Sequence, residues 1–458
     1  MSRYTSATDA DRRAMLAAIG ADSIEDLFAD VPAGVRLDRA LDLPPGKPEQ
    51  EVYAHLRDLA ARNTSAEEEI SFLGAGMYDH YVPSLVDSIV SRSEFLTPYT
   101  PYQPEISQGG LQVMFEYQTA ISELTGLPVS NASVYEGPSA LAAAGYLAKL
   151  QQSGERTRFL VSRGVHPHSR ETLETTSAGW GTSIQELPLA AGVTDAAALQ
   201  EALDEHVAAV FLQYPNFLGA VEDLEALVPL AKAHGALVIV ACDPIPLGIL
   251  RPPGDFGVDV AVGEGQTLGN RLDYGGPSFG FFAAQEAHLR RMPGRIAGET
   301  TDVDGRRGFV LTLQTREQHI RREKATHNIC TAQALNALAG VIHLSWLGRE
   351  GLVELGELLL QRTAYARDAL TGIDGVQALH DQPVVREFAV SLDADVDRVI
   401  EACAADGVNP GHALHRDYPE YGDGLLVALT EQRSMGDIDR LARTLRGALH
   451  TVREGARA

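Results

Sequence analysis

Short apolar runs alternate with helical patterns through the middle of the chain, from about residue 110 to residue 290. The apolar runs are Arg158–Ser162, Ala208–Leu212, Ala236–Ala241, Val258–Val262 and Phe279–Ala283. Between several of them lie periodic segments such as Asp223–His234, which ends at Gly235. Strands that are apolar throughout, separated by helices, predict an α/β fold with a mostly parallel sheet covered on both faces. Ligands of such sheets bind beyond the carboxyl ends of the strands.

The two ends of the chain follow different patterns. The amino-terminal end consists of short helical patterns with little apolar surface of their own. Toward the carboxyl end, helical and strand-like segments alternate: Ala332–Leu347, Gly351–Leu370, Val385–Val390, Gly424–Val427 and Ile438–Thr451. We therefore predict a helical arm over residues 1–65, a large domain over 66–335 and a smaller α+β domain over 336–458.

Composition and charge exclude several classes of protein. The 458 residues are 45% hydrophobic and 22% charged, which is typical of a globular chain with more than one domain. The formal net charge of −24 repels nucleic acid and anionic membranes, so neither is expected as a partner. No apolar run approaches the roughly 20 residues of a membrane-spanning helix. No secretory signal is visible, and we expect a soluble, cytoplasmic protein.

A proline-rich segment that follows residue 93 cannot form a regular helix. Pro98, Pro101 and Pro104 each remove a backbone donor and fix φ. A stiff, extended backbone presents polar side chains at a small entropic cost. The polar side chains of this segment are Tyr99, Thr100, Tyr102, Gln103 and Glu105. The segment is either part of a binding site or a connector that follows the surface.

Polar residues also precede a helix rich in small residues, Pro138–Leu150. Asn131, Ser133 and Glu136 belong to the turn that enters this helix, and free amides at a helix N-terminus can bind a phosphate or a carboxylate. The turn lacks the glycine pattern of nucleotide-binding loops. An ordinary helix N-cap at Ser133 is the alternative that the sequence favours.

Two predicted strands end in further polar residues. Asn216 follows one strand and could simply belong to a turn. Asp243 follows the next strand and could either face a cofactor nitrogen or cap the following turn. His166 and His168 lie close together, but no third ligand is near them in the sequence, so we predict no metal site.

Four long blocks of sequence carry a resemblance to a known family. They are Phe72–Ile89 (FLGAGMYDHYVPSLVDSI), Thr97–Gln112 (TPYTPYQPEISQGGLQ), Arg291–Thr300 (RMPGRIAGET) and Gly305–Leu338 (GRRGFVLTLQTREQHIRREKATHNICTAQALNAL). They closely resemble subunit 1 of the split glycine dehydrogenase (decarboxylating), the P protein of the glycine cleavage system. The resemblance implies a fold-type I pyridoxal-phosphate-dependent transferase-like architecture.

The resemblance also implies an activity and partners. In this family glycine forms an aldimine with pyridoxal phosphate and loses its carboxylate as CO2. The aminomethyl group is then transferred to the lipoyl arm of the H protein. The family assembles as a heterotetramer of two subunits 1 and two subunits 2. The partners that the resemblance implies are therefore subunit 2, the lipoylated H protein and glycine.

Pyridoxal-phosphate chemistry requires a lysine, and the resemblance indicates where it would lie. In this fold the lysine follows a strand roughly 20–30 residues after the acid that faces the pyridine nitrogen, here Asp243. Gly265, Gln266 and Thr267 occupy that place, and an amide cannot form an imine with an aldehyde. No lysine lies between Lys232 and Lys324. We therefore expect the cofactor on the partner subunit and not covalently on this chain.

This interpretation assigns roles to the candidate residues. The Tyr99–Glu105 segment would complete the partner's active site, with Tyr99 and Tyr102 as the best candidates to contact glycine or the cofactor. A vestigial cofactor pocket would include Asn131, Ser133, Glu136, Asn216, Asp243 and Gln266.

Two alternatives remain open. The chain could be an inert scaffold that stabilises subunit 2 and docks the H protein. It could also be an independent pyridoxal-phosphate enzyme, such as an aminotransferase or a cysteine desulfurase, which would have to use Lys324.

Overall fold

The computed structural model describes residues 6–65, 68–152, 155–329 and 332–457. The chain divides into two compact units, Met1–Thr64 and Ser65–Ala458. The division lies within one residue of the predicted end of the helical arm. The second boundary, near residue 335, stays a prediction, because Ser65–Ala458 forms one unit by its contacts. Among the helices described, none combines the length and apolar character needed to cross a membrane.

The first unit contains two helices, α1 (Asp9–Ile19) and α2 (Glu49–Ala60), in its described part. Thr8 begins α1 through a reciprocal capping box with Asp11: the Asp11 amide donates to Thr8 Oγ1 at 3.2 Å, and the Thr8 amide donates to Asp11 Oδ2 at 2.8 Å. Gly20 ends α1 with a left-handed φ of 73°. Local sequence alone therefore accounts for both ends of α1.

The second unit contains helices and strands in alternation. Its helices are α3 (Ser84–Val90), α4 (Ser93–Leu96), α5 (Gln108–Thr125), α6 (Gly137–Gln151), α7 (Pro167–Ser177), α8 (Ala196–Ala202), α9 (Leu224–Ala233), α10 (Gln318–Arg321), α11 (Ala334–Thr371), α12 (Val396–Ala405) and α13 (Met435–Arg457). Its strands are β1 (Ile70–Ser71), β2 (Val129–Ser130), β3 (Arg158–Ser162), β4 (Ser183–Leu187), β5 (Leu189–Ala190), β6 (Val193–Thr194), β7 (Val207–Tyr214), β8 (Leu237–Cys242), β9 (Val260–Glu264), β10 (Gly280–Ala284), β11 (Ile296–Thr301), β12 (Arg307–Thr312), β13 (Val376–Ala378), β14 (Glu387–Leu392), β15 (Val408–Asn409), β16 (His412–Ala413) and β17 (Gly424–Ala428).

The largest sheet has the strand order β2-β10-β9-β8-β7-β3-β4. Strands β9, β8, β7, β3 and β4 pair in parallel, whereas β10 runs antiparallel to both of its neighbours. Along β7, Ala209 and Phe211 belong to one hydrophobic cluster, and Val210 and Leu212 belong to another. Both faces of the sheet are therefore covered, and the predicted mostly parallel, buried sheet is confirmed.

A second sheet lies toward the carboxyl end of the unit, with the antiparallel order β13-β14-β17-β16. The residue Gly348 interrupts α11 with φ 62° and ψ −175°, which separates the two helical segments that the sequence predicted there. The strand β14 begins with Glu387, directly after Arg386. This placement brings Arg386 to the carboxyl edge of the large sheet, where it pairs with the Asp243 carboxylate.

Candidate functional site

A cavity of about 490 Å³ lies at the carboxyl ends of the parallel strands. Five of its charged and polar lining residues come from five different parts of the fold. Asp243 follows β8, Glu264 ends β9, Glu136 precedes α6, His166 precedes α7 and Arg386 precedes β14. This edge of the sheet is where an α/β fold places its ligands. We call this space the strand-end cavity.

The first turn of α6 lies at this cavity, but its backbone amides donate hydrogen bonds to groups of the chain itself. The Gly137 amide donates to Glu264 Oε2 at 3.0 Å, and the Ser139 amide donates to Glu136 Oε1 at 3.0 Å. Pro138 has no amide hydrogen, and the amide of Ala140 donates to the Glu136 carbonyl. No amide of this turn is left for a phosphate, and two carboxylates occupy the positive end of the helix dipole.

The helix N-cap differs from the sequence-based expectation. Glu136 caps α6, so the prediction of a cap at Ser133 is wrong. Ser133 is buried with a left-handed φ of 104°, and its amide donates to Asn131 Oδ1 at 3.1 Å. The physical reason is that Asn131 already forms the local turn around Ser133, so the helix begins later, at Gly137.

Both oxygens of Asp243, for which the sequence left open a cofactor contact or a cap of the following turn, are engaged within the chain. Its Oδ1 accepts from the Ile245 amide at 3.2 Å, as a cap of that turn, and its Oδ2 takes part in an internal ion pair. Asp243 forms a close salt bridge with Arg386, which is buried and stacks on the ring of Tyr78 at 3.3 Å from the centroid. Arg386 Nη1 also donates to His80 Nε2 at 2.5 Å, so His80 Nδ1 donates to Glu431 Oε2 at 2.6 Å. Burial opposes ionisation of Glu431, but its contacts with His80 outweigh it and lower the pKa to about 2. Asp243 is thus a member of a charged network.

Gln266 lies at the place expected for the lysine, and its amide group bonds to the backbone. The Tyr78 amide donates to Gln266 Oε1 at 2.9 Å. Gln266 Nε2 donates to the Tyr78 carbonyl at 3.1 Å and to the Asn270 carbonyl at 2.8 Å. Gln266 is buried and fastens the segment around Tyr78 to the end of β9.

Next to this segment, Glu387 is fully buried in the chain. It accepts hydrogen bonds from the Ala75 amide at 2.8 Å and from the Tyr78 hydroxyl at 2.7 Å. Burial nevertheless dominates and raises the pKa of Glu387 to about 7. Burial likewise raises the pKa of Glu264. Burial therefore makes the carboxyl groups of Glu387 and Glu264 easier to protonate than those of exposed glutamates.

His166 lines the cavity as a neutral side chain. Its Nδ1 accepts from the His168 amide at 3.1 Å, and its Nε2 therefore donates to the Ala75 carbonyl at 2.8 Å. Burial lowers the pKa of His166 to about 4. The pair His166 and His168 thus shapes the start of α7.

Three other predicted pocket residues are buried outside the lining of this cavity. Asn131 Nδ2 donates to the Pro293 carbonyl at 3.0 Å, next to the buried Ser133. Asn216 Nδ2 donates to Glu222 Oε1 at 2.9 Å, and its Oδ1 accepts from nearby amides. Their placement differs from the predicted pocket because each amide oxygen accepts from its own turn while each amide nitrogen donates to a more distant part of the chain.

The Tyr99–Glu105 segment is far more exposed than the cavity residues. Tyr99 is 80% exposed and, with the half-buried Thr100, lines a separate cavity of about 310 Å³. Tyr102 is 49% exposed, and its amide donates to the Thr100 carbonyl at 2.9 Å. Gln103 and Glu105 are exposed at a short turn, Pro104–Ile106. Apart from one 3-10 turn at Pro104–Ile106, the segment is thus not helical, and most of its polar groups are accessible within the chain.

Within the described residues, no lysine lines the strand-end cavity. Lys232 Nζ pairs with Asp259 Oδ1 at 2.7 Å, and Lys149 lies in the last turn of α6 over the ring of Tyr146. Lys324 is exposed in a short turn and is absent from the described cavity lining. The independent-enzyme alternative therefore gains no support from Lys324.

The residues of the strand-end cavity do not fit pyridoxal phosphate. A phosphate would meet Glu136 and Glu264 instead of free amides, and a pyridine nitrogen would compete with Arg386 for Asp243. Gln266 offers no imine. The contacts to the phosphate and to the pyridine nitrogen are therefore already taken by the chain itself, and the lysine for the imine is missing.

The architecture is that of fold-type I pyridoxal-phosphate-dependent enzymes, despite this lining. A sphingosine-1-phosphate lyase from Burkholderia pseudomallei is similar with a TM-score of 0.67 and 16% identity, over 93% of this chain and 96% of that chain. A cysteine desulfurase from Escherichia coli gives a TM-score of 0.64 with 16% identity, over 85% of this chain and 96% of that chain. At these identities the likeness concerns the fold alone.

The chain belongs to the glycine cleavage system P-protein family, whose model matches residues 2–445. A probable glycine dehydrogenase (decarboxylating) subunit 1 from Carboxydothermus hydrogenoformans is 48% identical over 97% of this chain and 99% of its own length. The protein of the same name from Anoxybacillus flavithermus is 45% identical with the same coverage. A crystal structure of a glycine decarboxylase (P-protein) in inhibitor-bound form has a TM-score of 0.88 and 44% identity, over 98% of this chain and all of that chain.

Sequence reasoning missed two residues that decide the chemistry of the cavity. Glu264 lies between Gly263 and Gly265 at the end of a predicted strand, and an acid at that place could have been predicted to line the site. Arg386 gave no local signal, because its partners Asp243 and Tyr78 lie far from it in the sequence.

Proposed function

We propose that this chain is subunit 1 of a two-subunit glycine-decarboxylating P protein and acts only together with subunit 2. The full-length similarity to chains with that name supports the identity of the subunit. The observation that carries the dependence on a partner is the strand-end cavity. Carboxylates take the helix amides there, and Gln266 stands where the cofactor lysine is expected.

In this proposal the partner subunit holds the pyridoxal phosphate, which supplies the electron sink for loss of the glycine carboxylate. The assembly is a heterotetramer of two copies of each subunit in the cytoplasm. It passes the aminomethyl group to the lipoyl arm of the H protein. The names of the relatives support the existence of a second subunit, and the family supports the glycine cleavage reaction.

The proposed contribution of this chain to catalysis is the Tyr99–Glu105 segment. Its polar groups are accessible in the chain, and its three prolines restrict the backbone, so presenting these groups to a partner costs little entropy. Tyr99 and Tyr102 provide hydroxyl donors for an anionic group of glycine or of the cofactor. The scaffold alternative assigns these side chains no role in the reaction.

Reconstitution from separately purified subunits tests the proposal. Release of CO2 from carboxyl-labelled glycine would be measured for this chain, for subunit 2 and for their mixture, each with pyridoxal phosphate and lipoylated H protein. We expect activity in the mixture and none above background in either subunit alone. Activity of this chain alone would make it an independent enzyme, and full activity of subunit 2 alone would leave this chain without a catalytic role.

A further inference from the structure

The ring of Tyr102 contacts two side chains, Arg295 and His319. The Arg295 guanidinium lies 5.5 Å from the ring centroid, and Arg295 Nη2 donates to Tyr102 Oη at 3.3 Å. The imidazole of His319 meets the same ring edge-on, with centroids 5.6 Å apart. Tyr102 is therefore oriented by residues that are far away in the sequence.

The two side chains that hold Tyr102 share one buried acid. Glu317 is 1% exposed, and its Oε2 lies 3.4 Å from His319 Nδ1 and 3.9 Å from Arg295 Nε. Arg295 is itself 5% exposed. Arg316 supports this arrangement, because its guanidinium donates to the Met292 carbonyl and, at 3.1 Å, to the Gly294 carbonyl. The support for Tyr102 thus extends into the interior of the unit.

This geometry fixes the direction in which the Tyr102 hydroxyl can donate. Its oxygen accepts from Arg295, so its own proton is directed away from the guanidinium. A phenol that accepts a hydrogen bond from a cation is a stronger donor, and such donors favour an anionic oxygen. Tyr99 is more exposed, and no ring contact or side-chain hydrogen bond is found for it within the described residues. Of the two tyrosines, only Tyr102 is preorganised.

We propose that Arg295 and His319 are positioning residues that hold Tyr102 as a hydrogen-bond donor to an anionic oxygen in the partner's active site. The acceptor is a carboxylate or a phosphate oxygen, which share this chemistry. The inference rests on the proposed function, because it requires the Tyr99–Glu105 segment to reach that site. It goes further in separating the roles of the two tyrosines.

A double-mutant cycle in the reconstituted complex tests the positioning. Tyr102→Phe removes the hydroxyl, and we expect kcat/KM to fall by about tenfold to a hundredfold, as for a lost hydrogen bond to a charged group. Arg295→Lys keeps the buried charge but removes the geometry, and should cause a similar loss. The Arg295→Lys change should have little effect in the Tyr102→Phe background. The matched cycle of Tyr99→Phe with Arg295→Lys should be additive.

His319→Gln provides a variant at a partly exposed position, should Arg295→Lys fail to fold. It should lower kcat/KM several-fold, and that loss should vanish in the Tyr102→Phe background. A raised KM for glycine with unchanged cofactor content identifies the carboxylate as acceptor. Loss of pyridoxal phosphate from the complex on dialysis identifies the phosphate. Either result supports an anionic acceptor.

The outcomes separate the inference from the proposed function. If Tyr102→Phe lowers activity but the effects of Arg295→Lys and His319→Gln add to it, the positioning role is wrong and the shared site survives. If Tyr99→Phe and Tyr102→Phe both retain full kcat/KM, the two hydroxyls take no part in the reaction, and the positioning inference and the proposed shared site both fail. The dependence on subunit 2 is then judged separately, by the reconstitution of the two subunits.

Discussion

The strand-end cavity and the Tyr99–Glu105 segment differ in how their polar groups are satisfied. In the cavity, Glu264 accepts from a helix amide and Asp243 pairs with Arg386, and Gln266, buried beside the lining, bonds to the backbone. In the segment, Tyr99 is 80% exposed. The cavity has the position of an active site in its fold but uses its polar groups internally. The segment has no such position but keeps its polar groups accessible.

The difference shows that the place of an active site and the capacity for chemistry can separate within one chain. A helix N-terminus binds an anion only while its amides are free, and here the anions belong to the protein. A cavity whose polar groups bond to one another contributes to stability, whereas an accessible, stiff segment can contribute to a site on another chain.

The largest effect should come from the exposed segment. The double variant Tyr99→Phe/Tyr102→Phe should lower kcat/KM of the complex by about a hundredfold or more, because each hydroxyl bond to a charged group contributes about 1.5–3 kcal/mol. Assembly with subunit 2 should remain intact by size-exclusion chromatography. Tyr365→Phe is the control, since it removes a tyrosine hydroxyl bonded to Asp439 on the surface. Full activity of the double variant would favour the scaffold alternative.

The next effect should come from the cavity and should concern stability. Asp243→Ala leaves the buried Arg386 guanidinium without its carboxylate, so the free energy of unfolding should fall by about 3 kcal/mol or more. Asp87→Ala is the matched control, because its bidentate pair with Arg271 is exposed and should contribute about 1 kcal/mol at most. Urea unfolding of this chain measures both. Equal effects of the two substitutions would contradict the structural role of the cavity network.

A pH-dependent effect of comparable size is expected at Glu387. Its pKa is about 7 in the folded chain against 4.5 as the ordinary value. Between these pH values the unfolded chain releases a proton that the folded chain keeps. The contribution of Glu387 to the free energy of unfolding therefore falls by about 3 kcal/mol as the pH rises through this window. Unfolding midpoints at pH 4.5, 6 and 8 for the chain and for Glu387→Gln measure the contribution.

The comparison with Glu387→Gln is needed because other groups titrate in the same window. Burial lowers the pKa of His166, His327 and His343 to about 4, so their contribution to stability rises with pH. The difference between the chain and Glu387→Gln isolates the acid. An identical pH profile for both proteins would contradict the raised pKa.

The smallest effect should follow from restoring the lysine. Gln266→Lys supplies an amine at the expected position, but the α6 amides stay occupied by Glu136 and Glu264. We therefore expect no absorption band of an internal Schiff base when this variant is mixed with pyridoxal phosphate. Combining Gln266→Lys with Glu264→Ala should increase binding relative to the single variant. A stable band in the single variant would show that only the lysine is missing.

The fold could be predicted well from the sequence, because its strands are long apolar runs. The run Arg158–Ser162 is β3, and the run Ala208–Leu212 lies inside β7. Helix ends with strong local signals, such as Thr8 and Gly20, were also predictable. The cap of α6 was not, because the capping carboxylate of Glu136 competes with a turn that Asn131 forms further upstream.

The site could be predicted only in part. The missing lysine is visible in the sequence once the resemblance to the family indicates the position, Gly265–Thr267, where it would lie. The occupation of the α6 amides by Glu264, and the pairing of Asp243 with Arg386, depend on contacts between distant elements. The support of Tyr102 by Arg295 and His319 has the same origin. Contacts between distant elements leave no periodic pattern in a single sequence, so they could not be predicted from it.

Borohydride reduction of the reconstituted complex, followed by peptide mapping, identifies the subunit that carries the cofactor. Reduction fixes pyridoxal phosphate covalently to the lysine that binds it. We expect the label on subunit 2 and every lysine of this chain unmodified, including Lys324. A stoichiometric label on Lys324, or on any other lysine of this chain, would contradict this expectation.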